Sequence, residues 1–264
     1  NLHEYIMNNS KGTVVINIPE NEKNIKSEAV NIFSDLPLVK PYKYTLEKVY
    51  IPNESTVILT EPRNVSQADI NETFKFETDG SIKEKVTAEL MNSILSSSDS
   101  IGLFNSLREQ EHLAYRVNSV FYSKRNQAEI SLNILTSTDN KDTGKMSYEN
   151  VEKSINGFNR QINKLLNSEY NDSDLDAAKR LLKAELLNKE SVHSRMSAIS
   201  KAQYFDENLD YENKIFDMID SITREDIDKM AQRAFANPPV YSIIASQDTL
   251  DYNEEYFKSL TNSD

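Results

Sequence analysis

The sequence predicts an α+β fold, a two-layer sandwich with a mostly antiparallel sheet and helices packed on one of its faces. Two observations carry this expectation. Strand-like segments follow one another in hairpin-like runs through the first half, and the second half is a block of helix-period segments closed by one strand. No Pro-, Gly- or Ser-rich stretch is strong enough to be a linker, so 1–264 reads as a single domain, with 1–45 open to reading as a leading segment. A chain of 264 residues, 38% of them apolar, has enough hydrophobic content for one sizeable core and more than a disordered chain carries.

Taken in order, GTVVINIP (Gly12–Pro19) is a β-branched run stopped by proline and reads as a strand. Ile25, Ala29, Ile32 and Phe33 recur at helical spacing over 24–35. Residues 36–44 read as an irregular connection. Three strands are then expected near 46–51, 55–60 and 67–76. In the last, Ala68, Ile70, Phe74 and Phe76 share one face, while Gln67, Asp69, Asn71 and Lys75 share the other. A helix starts at Ile82, buries Val86, Leu90, Ile94 and Leu95, and ends in Ser96-Ser97-Ser98. A short helix at 103–109 leads into a hairpin with arms 114–122 and 129–138, where Ile130, Leu132 and Ile134 alternate.

The helical block begins with the stripe Val151, Ile155, Phe158, Ile162, Leu165 and Leu166. Ser173-Asp174-Leu175-Asp176 resembles a capping start for a helix carrying Ala178, Leu182 and Leu186. Another helix covers 211–221, and Thr223-Arg224-Glu225-Asp226 caps one more, with Ile227, Met230, Ala231 and Ala234 inward. Pro238-Pro239 stops it, and VYSIIAS returns as a strand.

Composition excludes several kinds of chemistry. Forty-two acidic against 30 basic residues give a net charge of −12, without the basic footprint a nucleic-acid binder needs. No apolar run approaches the roughly 18–20 residues of a membrane span. Beginning at Asn1, with no visible leader, the chain reads as a piece or a processed product of something longer. The absence of cysteine removes thiolate zinc sites and cysteine nucleophiles. His3, His112 and His193 stand apart, and neither H-x-x-E-H nor H-E-x-x-H occurs, so no metal site is expected in this chain. Five glycines form no phosphate-cradling loop, and there is no G-x-S-x-G elbow.

What remains is LFNSLREQEHLAYRVNS, Leu103–Ser119, where a helix carrying Arg108, Glu109 and Glu111 turns directly into a strand starting at Tyr115. A guanidinium offers a rigid fork of donors and a phenol offers one donor on a stiff ring. Converging on an extended peptide, they could hold its carbonyl oxygens or an oxyanion forming there. The plainer reading pairs Arg108 with Glu109 or Glu111 and packs Tyr115 away; spacing alone favours it.

This stretch, with the following hairpin and ISLNILTSTDN, resembles the pitrilysin/insulinase family of zinc metallopeptidases, the inverzincins. VEKSINGFNRQINKLLNSEYNDSDLDAAKRLLKAELLNKESVHSR and SITREDIDKMAQRAFANPPVYSIIAS are similar to the family's helix pair and its closing helix and strand. With no zinc-binding helix, the chain resembles the C-terminal, non-catalytic half. Pro19-Glu20 stands where the family usually has Gly-Asp, and Asn126-Gln127-Ala128 replaces a common glycine near the hairpin turn, departures that mark a divergent member.

The resemblance implies that this half binds extended peptide and completes the active site of a zinc metalloendopeptidase, without peptidase activity when alone. Zinc and the water it activates would belong to the complementary catalytic half, in the same polypeptide or in a partner subunit. Arg108 and Tyr115 would reach the substrate near the scissile bond; Glu109 and Glu111 remain solvated or pairing charges. The alternative is a catalytically inactive peptide-binding or scaffolding subunit of the same family. A third reading is an acidic interaction domain that shares only the fold.

Overall fold

An eleven-residue strand, Gln67–Glu77, organises the molecule because its alternation is complete: Ala68, Ile70, Glu72, Phe74 and Phe76 are buried and their neighbours are half-exposed. The computed structural model describes residues 2–9, 14–17, 23–34, 50–61, 65–124, 126–140, 144–188, 191–204 and 211–261. In chain order the elements are α1 (Leu2–Asn9), α2 (Lys23–Phe33), β1 (Thr56–Thr60), β2 (Gln67–Glu77), α3 (Ile82–Ser97), a π-helical turn (Phe104–Gln110), β3 (Ala114–Lys124) and β4 (Gln127–Ser137). They continue with β5 (Asp139–Asn140), β6 (Lys145–Met146), α4 (Asn150–Leu166), α5 (Asp172–Asn188), α6 (Val192–Tyr204), α7 (Tyr211–Ser221), α8 (Arg224–Ala234), β7 (Val240–Ile244), α9 (Gln247–Tyr252) and α10 (Glu254–Thr261).

The chain divides into two compact units, Lys48–Lys183 with Asp217–Asp264, and Asn1–Glu47 with Ala184–Phe216. The larger holds a five-stranded sheet in the order β1-β7-β2-β4-β3. β1 runs parallel to β7, and every other pairing is antiparallel. On the buried face, α3 packs against β3, α4 against β4 and β2, α8 against β2, and α10 against β1. This is the α+β sandwich with a mostly antiparallel sheet that the sequence predicts.

The expected stripes become this core. Val86, Leu90, Ile94 and Leu95 of α3 are buried, as are Val151, Ile155, Phe158, Ile162 and Leu165 of α4. Ser81 caps α3 by accepting from the Glu84 amide at 3.2 Å. Thr223 and Asp226 close a full capping box on α8. Burial alone would push the Asp226 carboxyl upward, yet Lys83 and the Thr223 donors hold it at about 2.

Several boundaries differ from the sequence reading. α5 begins at Asp172, one residue before the expected start; Leu175 and Ala178 are buried, but Leu182 and Leu186 are only half-buried. Residues 14–17 belong to no strand, while 12–13, 18–19 and 36–49 lie outside the described residues. β-propensity expresses itself only where a partner strand pairs, and none does at 14–17 among the described residues. In the smaller unit, Val14 and Ile16 instead line an apolar groove with Ile25, Ala29 and Phe33 of α2. No helix among the described residues is long and apolar enough to cross a membrane.

Candidate functional site

The junction between helix and strand is built by three local devices. The chain enters it at Gly102, where a Cβ would collide with the Ser98 carbonyl oxygen. It then winds as a π-helix, closed by the Glu111 amide donating to the Ser106 carbonyl at 3.0 Å; the Leu113 amide bonds the Leu107 carbonyl at 2.9 Å. His112 reverses the chain with φ +52°, a left-handed conformation uncommon outside glycine. The Thr136 hydroxyl, donating to the Leu113 carbonyl at 2.6 Å, fixes the exit.

β3 starts immediately beyond, at the edge of the sheet, and its first turn carries a bulge. Ala114 faces Thr136 and Arg116 faces Leu135, leaving Tyr115 as the extra residue. A bulged residue leaves the ladder alternation, so its side chain is turned out of the packed face. Tyr115 is accordingly 74% exposed, and its phenol makes no hydrogen bond among the described residues. The plainer reading, in which Tyr115 packs away, is not what the structure shows.

Arg108 lies on the other side of the reversal, within the π turn, and its side chain is 46% exposed. Its guanidinium stands 4.9 Å from the Phe104 ring centroid, and Nε is 3.7 Å from a Glu109 carboxylate oxygen. An exposed pair at that distance is a weak tie, so the guanidinium is free to exchange Glu109 for a better acceptor. Glu111, the other pairing partner considered, binds Arg160 of α4 instead, both carboxylate oxygens being 2.7 Å from Nη2. Arg108 and Tyr115 do not bond to each other. They form two separate donors flanking one rigid reversal.

Among the described residues, no group of three or more His, Asp or Glu side chains is arranged to hold a metal ion. His112 and His193 are both exposed, the first in the reversal before β3 and the second in α6.

One ionisable group escapes a reading that looks for motifs. Glu72 is fully buried on the apolar face of β2, directly opposite Tyr241 of β7, whose phenol lies near it without closing a hydrogen bond of good geometry; neither carboxyl oxygen meets such a partner among the described residues. Burial raises its pKa to about 8, tempered by the Tyr241 phenol. The strict alternation of β2 was the signal that could have found it, since Glu72 falls midway between Ile70 and Phe74.

Comparison with known proteins gives a consistent picture. The family model described as the peptidase M16 inactive domain matches residues 7–182. A peptidase M16 inactive domain from Pseudomonas fluorescens superposes with a TM-score of 0.68 at 18% identity, over 86% of this chain and 52% of that one. A protease from Helicobacter pylori gives 0.68 at 13% identity, over 85% and 53%. A chain of complex III2 from Candida albicans gives 0.69 at 14% identity, over 92% and 57%. This chain thus spans about half the length of these structures. No curated protein sequence matches it.

Proposed function

Because the chain belongs to the peptidase M16 inactive-domain family, we propose that it is the substrate-binding, active-site-completing half of a zinc metalloendopeptidase, with 1–264 acting as one such half. The metal belongs to the complementary catalytic half, in cis or in a partner subunit, and this chain contributes peptide binding. The observation that carries the reading is the exposed Tyr115 on the bulge of edge strand β3, unbonded among the described residues, with the loosely tied Arg108 across the His112 reversal.

The geometry suits an extended peptide. A strand at a sheet edge keeps one row of backbone donors and acceptors unpaired, a surface that main-chain atoms of a peptide can match. Beside it, the phenol can donate one hydrogen bond to a carbonyl oxygen, and the guanidinium can donate two while adding positive charge. Charge developing on that oxygen would strengthen both hydrogen bonds. Arg108 and Tyr115 would therefore both hold the peptide and polarise its carbonyl.

Fluorescence anisotropy with labelled casein, an unstructured polypeptide, tests this on the full chain. Tyr115→Phe, which removes only the hydroxyl, and Arg108→Ala should each weaken binding by about 5- to 20-fold, consistent with one neutral or one charged hydrogen bond. Unchanged affinity in both folded variants, or no binding by the wild type, contradicts the proposal and leaves a scaffolding subunit.

A further inference from the structure

The π turn that carries Arg108 packs against β3, α3 and one stretch of α4. Leu107 is fully buried against Gly157, and a Cβ at that position would collide with Leu107 Cδ2. One turn further along α4, Arg160 grips both oxygens of Glu111 at 2.7 Å, and Gln161 Nε2 donates to the Ser106 hydroxyl at 2.8 Å. The Ser106 hydroxyl in turn donates to Glu111 at 3.2 Å, which joins the two attachments into one network. The residues on either side of Arg108 are thus fixed to α4, while the Arg108 side chain remains half-exposed.

Stability alone does not account for two of these features. Glycine inside a helix is less favourable than alanine, because it loses more backbone freedom on folding. An ion pair as exposed as Arg160–Glu111, at 48% and 34%, adds little stability. Both make sense as geometric devices. The notch at 157 sets how closely the π turn approaches α4, and a single Arg160 nitrogen, Nη2, reaching both oxygens of Glu111 centres that carboxylate over α4.

We infer that Arg160 is a positioning residue for Arg108, acting through Glu111 with Gly157 as the fulcrum, so that α4 sets the direction from which the guanidinium meets a bound peptide. The inference rests on the reading of Arg108 as a peptide donor. A residue that acts only through Arg108 must lose its influence once Arg108 is gone.

A double-mutant cycle on the full chain, read as affinity for labelled casein, tests this. Arg160→Gln is expected to weaken binding by about three- to tenfold in the Arg108 background and by less than twofold in the Arg108→Ala background. The paired swap Arg160→Glu with Glu111→Arg should restore most of the loss, and the melting temperature should move little throughout. An unchanged affinity in Arg160→Gln, with Arg108→Ala still impaired, overturns the positioning role and leaves the Arg108 reading intact. An equal loss in both backgrounds also overturns it, since Arg160 would then act by itself. If Arg108→Ala binds as the wild type does, the Arg108 reading fails and the inference falls with it.

Discussion

His112 shows how one residue can be kept in an unfavourable state by what surrounds it. Its φ of +52° is costly for any side chain with a Cβ, roughly 1 kcal/mol relative to glycine. The reversal it makes leaves only Glu111, His112 and Leu113 between the end of the π turn and the start of β3, with Arg108 on one side and Tyr115 on the other. His112→Gly should relieve that strain but lose much of the gain to the greater unfolded-state entropy of glycine, for a net gain of at most about 0.5 kcal/mol. Urea denaturation measures it; a loss of stability would mean that the imidazole makes a contact worth more than the strain. The sequence shows the histidine but not its dihedral angle. The same is true of the bulge at Tyr115, which changes no residue type and so leaves no periodic trace.

At the scale of elements, the buried face of β2 carries a carboxyl group that must stay protonated to be tolerated. Glu72 lies under the helices with Tyr241 opposite it on β7; Tyr256 of α10 and Glu152 of α4 are the other ionisable groups in this cluster. Burial raises both phenols far above neutral pH, so neither ionises before the carboxyl does. Glu72 holds its proton in the folded state up to about pH 8 and releases it near 4.5 when unfolded. The unfolded state therefore binds fewer protons between those values, and stability must fall as pH rises through that window, by at most about 5 kcal/mol. Glu72→Gln should flatten this slope in denaturation curves at pH 5, 6.5 and 8. An equally steep slope in the variant would assign it to other groups.

Elements with complete periodicity were legible: β2, β4, α3, α4 and α8 each bury the stripe their spacing predicts. α9 and α10 were not, because Leu250 and Phe257 are isolated anchors in short, polar segments. A π turn also escapes detection, since seven residues cannot distinguish its pitch from that of an α-helix.

On the scale of the whole molecule, an acidic chain with no assembled metal ligands among its described residues offers a sheet edge and two hydrogen-bond donors as its candidate chemistry. Membership of the M16 inactive-domain family gives that surface a context, and the motif Leu103–Ser119 was enough to suggest the family from sequence. The supporting network on α4 was not readable in the same way. Gly157, Arg160 and Gln161 lie some fifty residues from the turn they hold, and only the fold brings them to it. Backbone hydrogen exchange on the full chain, with and without saturating casein, would test the central claim most directly. The account predicts slowed exchange at the start of β3 and across the reversal, from Leu107 to Ser119. Protection confined to other elements, with this segment exchanging as in the free chain, would contradict it.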